Sequence, residues 1–330
     1  MNDAYKKILE KQQYMFSGKH TAVKVCGWTK KALKGEGTCY KQRFYGIQSH
    51  KCVQMAPSIN FCNFDCTFCW RDRYNEPYES VDDPKEIIDK SIDAQLKLIN
   101  GFGGNDNVNK KVFDDAQDVA HFAISLTGEP TSYPKISKFI ENLNKRKISS
   151  MIVSNGSFPK VLKKMEMPTQ LYISLDAPDK KTFIEIDRPD KVDSWEDLME
   201  TIEWLPTIRD KTRIALRLTL LRNCNMDNIE KWAELLNKAN VHFIEVKGYM
   251  FVGASQSRLS HDHQPSHEEL KEFCKELEKH TDYKIVDEQK VSRVFLMMKD
   301  SDKHMRFLDE IYKNRNELKK ERSDAKINFI

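Results

Sequence analysis

The chain has 330 residues, 39% hydrophobic and 32% charged, with a net charge of only +4. That length and apolar content support a sizeable core and exclude a disordered chain, and no stretch approaches the roughly 20 apolar residues of a membrane crossing. The N-terminus lacks the apolar core of a secretory signal, so the expected location is the cytoplasm, where clustered cysteines more often hold metal than form disulfides.

In chain order, Tyr5–Phe16 reads as a helix, followed by a glycine- and lysine-rich loop that carries Cys26 and Cys39. From residue 50 a two-part rhythm begins. Near-continuous apolar runs, rich in β-branched and aromatic residues, lie at Val53–Ile59, His121–Leu126, Ser149–Ser154, Gln170–Leu175, Thr212–Leu220 and Val241–Lys247. That composition suits strands covered on both faces. Amphipathic stretches alternate with them at Pro84–Ile99, Pro134–Lys145, Pro159–Met165, Trp195–Leu205, Asp227–Lys238 and His267–His280. Proline or a small polar residue precedes most of these, a helix start signal. Asn100–Asp118 is a polar insertion that predicts a mobile loop. Residues 283–298 predict one or two edge strands, and Lys303–Lys320 a charged helix.

Six strand–helix units in series predict an α/β fold with a parallel sheet and right-handed crossovers. Six units form a partial, TIM-like (β/α)6 barrel rather than a closed eight-stranded one. The expected organisation is an N-terminal extension over 1–50, a barrel core over 51–285, and a C-terminal edge strand and helix over 286–330 in the same domain. Charge follows this division. Residues 1–60 carry eleven Lys and Arg against three acids, and residues 303–330 carry eight against five. A basic segment beside cysteines fits a polyanionic partner such as RNA, and fits a solvated surface equally well.

The most informative residues follow the first barrel strand: Cys62-Asn-Phe-Asp-Cys66-Thr-Phe-Cys69. Three thiolates from one loop suit an iron–sulfur cubane, whose fourth iron then has no protein ligand. A structural zinc would need a fourth side chain. In parallel α/β barrels the loops after strands form the functional face, and the other unusual peptides fall there. Thr127-Gly128-Glu129-Pro130 follows the second strand and Ser154-Asn155-Gly156 the third; Ser174 and Asp176 close the fourth; Arg217 lies along the fifth; Glu245 and Lys247 end the sixth. Cys26, Cys39 and Cys52 form a second set, thirteen residues apart each time, that fits no local zinc motif. By spacing alone they are equally three unrelated buried thiols. Lys41 lies between two of them, and a desolvated lysine can lose its proton and attack a carbonyl. The plain alternative is a solvated surface lysine, and Lys51 is the nearest rival candidate. Cys224 and Cys274 match no motif.

The cysteine run, with an aromatic before its last cysteine and a Gly-Glu pair after the second strand, resembles the radical S-adenosylmethionine (SAM) superfamily. The strings Cys39-Tyr-Lys41-Gln-Arg-Phe-Tyr-Gly-Ile, Ser125-Leu-Thr-Gly-Glu-Pro, Ser174-Leu-Asp-Ala-Pro and Glu245-Val-Lys-Gly-Tyr-Met narrow the resemblance to the family of wyosine-forming, tRNA-modifying enzymes. The chain resembles its shorter, archaeal-type form, without a flavodoxin-like domain. The resemblance implies two 4Fe–4S clusters and SAM as cofactors. Cys62, Cys66 and Cys69 would hold the cluster that splits SAM to a 5′-deoxyadenosyl radical, and Cys26, Cys39 and Cys52 the second. Phe68 would contact the adenine, and Gly128 and Glu129 the methionine ammonium. Ser154, Asn155, Ser174 and Asp176 would bond the ribose or the methionine carboxylate, and Arg217 would pair with that carboxylate. Lys41 would form a Schiff base with pyruvate, the carbon donor. The implied substrate is N1-methylguanosine beside the anticodon of phenylalanine tRNA, and the product 4-demethylwyosine. Trp28, Trp70 and Tyr249 are candidates to stack on the extruded base. A monomer served by an unidentified electron donor is expected. Two other readings stand beside this one: a radical SAM enzyme with an auxiliary cluster acting on a peptide or protein, and a zinc-stapled RNA-binding module without catalysis.

Overall fold

The structure is a computed structural model and describes residues 3–308. The strands are β1 (Met15–Phe16), β2 (Ala22–Val23), β3 (Cys52–Ala56), β4 (His121–Ile124), β5 (Ser149–Ser154), β6 (Gln170–Ser174), β7 (Arg213–Leu220), β8 (Phe243–Gly248), β9 (Lys284–Gln289) and β10 (Val294–Met298). They form one sheet in the order β1-β2-β3-β4-β5-β6-β7-β8-β10-β9. The pairs from β3 to β8 are all parallel, which is the six-stranded partial barrel the sequence predicts. β1 and β2 extend it antiparallel on one side, β10 and β9 on the other.

The helices are α1 (Asp3–Lys11), α2 (Gly27–Leu33), α3 (Tyr40–Tyr45), α4 (Pro84–Asn100), α5 (Lys110–Asp115), α6 (Ile136–Lys145), α7 (Pro159–Leu162), α8 (Lys180–Asp187), α9 (Ser194–Trp204), α10 (Ile229–Ala239) and α11 (His267–His280). Caps fix the starts of the long ones. The Asp83 side chain accepts from the Lys85 and Glu86 amides, with Pro84 at the first position of α4. Ser266 and Glu269 form a capping box on α11. Such caps contribute about 1 kcal/mol each. Among the described residues no helix is long and apolar enough to cross a membrane.

Alternation along the strands divides the core. Ile152, Leu171, Ile173, Ile214, Leu216, Ile244 and Val246 pack against the outer helices, through Ile88, Phe139, Leu198 and Trp232. The opposite face, with Met151, Tyr172, Ala215, Phe243, Val294 and Leu296, is filled by Tyr40, Phe44, Tyr45 and Ile47. The helix after Cys39 therefore plugs the concave side of the sheet, so this part of the N-terminal extension is core.

Three local expectations need correction, and one helix joins the predicted set. The first helix ends at Lys11; Gln13 adopts a left-handed φ of 65° and Met15–Phe16 pairs as β1. The stretch with Cys26 and Cys39 holds two short helices, each starting directly after its cysteine. The polar insertion contains α5, capped by the Asn109 side chain on the Val112 amide at 3.2 Å and packed through Val112 and Phe113 beside Leu33 and Ile99. Helix α8 is an addition, started by Asp179 on the Thr182 amide at 3.0 Å and anchored by buried Phe183 and Ile186. Most of the predicted helix Lys303–Lys320 lies outside the described residues; Asp300–Met305 forms a 3-10 turn.

Candidate active site and cysteine clusters

The loops after β3 to β6, with β7, surround a pocket of about 190 Å3 lined by Cys62, Cys66, Cys69, Gly128, Glu129, Ser154, Asn155, Ser174 and Arg217. The cysteine loop is held by its own backbone and its neighbours. Cys62 N–H donates to Tyr74 O at 3.0 Å, Thr67 N–H to Ile186 O at 2.8 Å, and Cys69 N–H to Cys66 O at 3.1 Å. The Arg258 guanidinium donates to the Thr67 and Cys69 carbonyls.

Gly128 binds this loop to the next. Its φ is +70°, and a Cβ there would lie 1.8 Å from the Ser58 carbonyl oxygen. Glu129 N–H donates to Phe61 O at 2.9 Å. The Glu129 carboxylate is buried. Its Oε1 accepts from the Thr131 amide at 3.0 Å and Ser154 Oγ at 2.8 Å, and its Oε2 from the Asn155 amide at 2.8 Å. Burial raises its pKa while these donors hold it down. Ser154 and Asn155 thus position Glu129 while both line the pocket; the Asn155 amide group is also engaged, by Asn63 and Ser157.

Two expected cofactor contacts lie outside the pocket lining. Phe68 packs with Ile186, Leu221 and Tyr249. Asp176 accepts the Thr219 amide at 2.6 Å and pins the end of β7; burial pushes its pKa up to about 6. Arg217 lines the pocket and also reaches the neighbouring strand. Register places Ser174, Arg217 and Glu245 in one row across β6, β7 and β8. Arg217 Nε donates to Glu245 Oε2 at 3.3 Å and Nη2 donates to the Tyr40 hydroxyl at 2.9 Å. These two bonds tie one edge of the guanidinium to the concave side while Arg217 also lines the pocket.

The second set of cysteines gathers on the concave side of the sheet. Cys26 precedes α2, Cys39 precedes α3 and Cys52 opens β3. Ser49 joins the three segments, its Oγ accepting from the Cys39 amide at 3.0 Å and its carbonyl from Thr29 Oγ1 at 2.9 Å. Burial, and then the neighbouring Cys26, raise Cys39 to about 11 and Cys52 to about 12. Lys41 sits beside them, 7% exposed, with its amine 4.5 Å over the Tyr172 ring. Burial and then Arg217 lower its pKa, against Glu245, Cys39 and Cys52. The buried Glu245 carboxylate also accepts from the Tyr45 hydroxyl at 2.7 Å and the Tyr40 hydroxyl at 3.1 Å. Lys247 completes the group, donating to Ser292 O at 3.0 Å, its pKa brought down to about 8 by burial first and Arg217 next. Lys51 is different: it pairs with Asp115 at 3.0 Å and Asp118 at 3.2 Å.

Sequence reasoning placed Glu245 and Lys247 at a strand end without a role. Their signal is a pair of charges two residues apart in a strand whose other members are apolar, so both face the same interior. Tyr40 and Tyr45 carried no signal, since their partner lies about two hundred residues away.

Cys62, Cys66 and Cys69 fit an iron–sulfur cluster on their donor chemistry. Burial raises Cys62 to about 12 and lifts Cys66 and Cys69 as well, so these thiols need a cationic partner to ionise, and binding a metal supplies one.

Residues 57–236 match the radical SAM superfamily and residues 238–299 a family described as wyosine base formation. The S-adenosyl-L-methionine-dependent tRNA 4-demethylwyosine synthase of Pyrococcus horikoshii is 43% identical over 302 residues, covering 89% of this chain and 88% of that protein. That of Methanocaldococcus jannaschii is 40% identical, covering 90% and 96%. The human protein TYW1 is 39% identical over 83% of this chain, which corresponds to 38% of its own length. A structure of TYW1 with a lysine-pyruvate adduct bound superposes with a TM-score of 0.84 at 38% identity, covering 91% of this chain and 97% of that one. A crystal structure of archaeal TYW1 gives 0.76 at 35%, with the same coverage.

Proposed function

The chain belongs to the radical SAM family of tRNA 4-demethylwyosine synthases, and on that premise we propose that it converts N1-methylguanosine beside the anticodon of phenylalanine tRNA to 4-demethylwyosine, with pyruvate as carbon donor. Membership sets aside the zinc-stapled module and the peptide-modifying enzyme. Cys62, Cys66 and Cys69 would hold the 4Fe–4S cluster, which, when bound with SAM, supplies the one-electron cleavage that starts hydrogen abstraction from the methyl group. Glu129, fixed by Thr131, Ser154 and Asn155, offers a buried carboxylate to the ammonium of SAM, and Ser174 faces the same pocket. A second cluster is assigned to Cys26, Cys39 and Cys52.

The observation that carries the pyruvate assignment is the burial of Lys41 between those cysteines and the Arg217–Glu245 pair. A desolvated amine is a nucleophile at neutral pH. It attacks the ketone carbon of pyruvate, and loss of water leaves a C=N bond to Lys41. Arg217 and Glu245 neutralise each other beside it. The TYW1 structure with a lysine-pyruvate adduct supports this reading.

The test is an oxygen-free incubation of reconstituted protein with SAM, reductant, pyruvate and methylated tRNA. Nucleoside digests should contain 4-demethylwyosine, and unchanged digests alongside active SAM cleavage reject the substrate assignment. Lys41→Ala should lose the borohydride-trapped pyruvate adduct; trapping that survives places the Schiff base on another residue.

A further inference from the structure

Of the chain's five tryptophans, Trp70 alone is exposed, at 46%, and it lines the pocket next to Cys69. One face of its ring is covered: the Arg71 guanidinium lies 3.5 Å from the ring centroid. Arg71 is only 8% exposed and also lines the pocket. Its Nε donates to Leu126 O at 3.2 Å, and its buried Nη2 finds no acceptor.

The backbone at Trp70 is fixed. Ala254 N–H donates to Trp70 O at 3.1 Å, and the preceding Gly253 approaches so closely that a Cβ would lie 2.3 Å from that oxygen. The same loop exposes Met250 and Val252. The pocket mouth therefore holds a rigid indole, backed by a cation and bordered by apolar side chains. The other aromatic candidates are already occupied. Tyr249 is buried with its hydroxyl on Ser255 at 3.0 Å, and Trp28 is half-buried with the Lys31 amine 4.8 Å from its ring centroid.

We propose that Trp70 is the platform on which the target nucleobase stacks once it has left its own strand and entered the pocket, with Arg71 supporting the indole from behind. The proposal rests on the tRNA reading above and adds the residue that receives the base. A base taken out of its stack loses contacts with its neighbours. An aromatic face restores them without regard to sequence, worth about a tenfold or greater gain in affinity per base.

The experiment measures binding of an anticodon stem-loop to the holoenzyme in the presence of SAM. One RNA carries N1-methylguanosine and a second an abasic site at that position. Trp70→Ala should weaken the methylated RNA by about tenfold or more. The abasic site should weaken wild type by a similar factor, and the two changes together should do no more than either alone. Trp70→Phe, which keeps a ring, should retain most of the affinity, and an unchanged iron content reports that the cysteine loop has kept its place. Losses that multiply, or a Trp70→Ala protein that binds like wild type, overturn the assignment. Wild type that fails to bind the methylated stem-loop overturns the tRNA reading itself, and that failure is seen before any substitution is made.

Discussion

Gly128→Ala tests how two loops share one pocket wall. The glycine holds φ at +70°, and the added Cβ would lie 1.8 Å from Ser58 O, 2.8 Å from Phe61 O and 2.9 Å from the Ser58 carbonyl carbon. All three are backbone atoms on the segment that leads into Cys62, so no side chain can swing aside. Reaching ordinary contact at 3.4 Å means parting the loops by about 1.6 Å, which breaks the Glu129–Phe61 hydrogen bond. The left-handed backbone costs alanine about 1–2 kcal/mol, and the lost buried bond about 1 kcal/mol more. Gly35 separates the two effects: its φ is also +70°, with nothing within 4 Å of the added carbon. Gly35→Ala should therefore show the backbone cost alone. A displacement of about 1 Å in a positioned group lowers rates by roughly a hundredfold. Gly128→Ala should release 5′-deoxyadenosine from SAM at least that much more slowly, per iron bound, while Gly35→Ala stays near wild type. Wild-type cleavage by Gly128→Ala would refute the argument that this contact sets the pocket.

Glu245→Leu strands the Arg217 charge in the interior and removes the acceptor of Tyr40 and Tyr45; breaking a buried pair costs roughly 3–5 kcal/mol, readable by denaturant unfolding, and a loss below about 1 kcal/mol contradicts the pairing. His242 accepts the Ile214 amide on Nδ1 at 3.1 Å, and burial first, with Arg209 and Arg213, lowers its pKa from 6.5 to about 4. The unfolded chain then binds the extra proton between those values, so the stability held by the neutral ring is complete above pH 6.5 and is lost as pH falls towards 4, by at most about 3 kcal/mol. The stability gap between wild type and His242→Gln should close over that range; a constant gap contradicts the assignment.

How much the sequence disclosed depended on the range over which each feature is encoded. Strand Ser149–Ser154 and helix His267–His280 were legible to the residue, because an apolar run and a Ser-x-x-Glu box mark their ends locally. Helix α8 was not legible: its short amphipathic pattern is packed between β6 and α9 with little loop on either side. β1 and β2 are two residues each, too short to show a period. The Cys62–Cys69 loop was legible because its three cysteines lie in one peptide. The Tyr40–Arg217–Glu245 network was not, because the docking of α3 into the concave face of the sheet depends on tertiary packing alone.

The central claim is that two separate trios of cysteines each hold a cluster, one for SAM and one beside Lys41. Iron and sulfide content, with electron paramagnetic resonance in the presence and absence of SAM, tests it on oxygen-free protein. The prediction is about eight irons in wild type. A protein with Cys26, Cys39 and Cys52 replaced by alanine should keep about half of them, and its reduced signal should still shift when SAM is added. About four irons in wild type, or a SAM-dependent signal that disappears with the Cys26, Cys39 and Cys52 replacement, would contradict it.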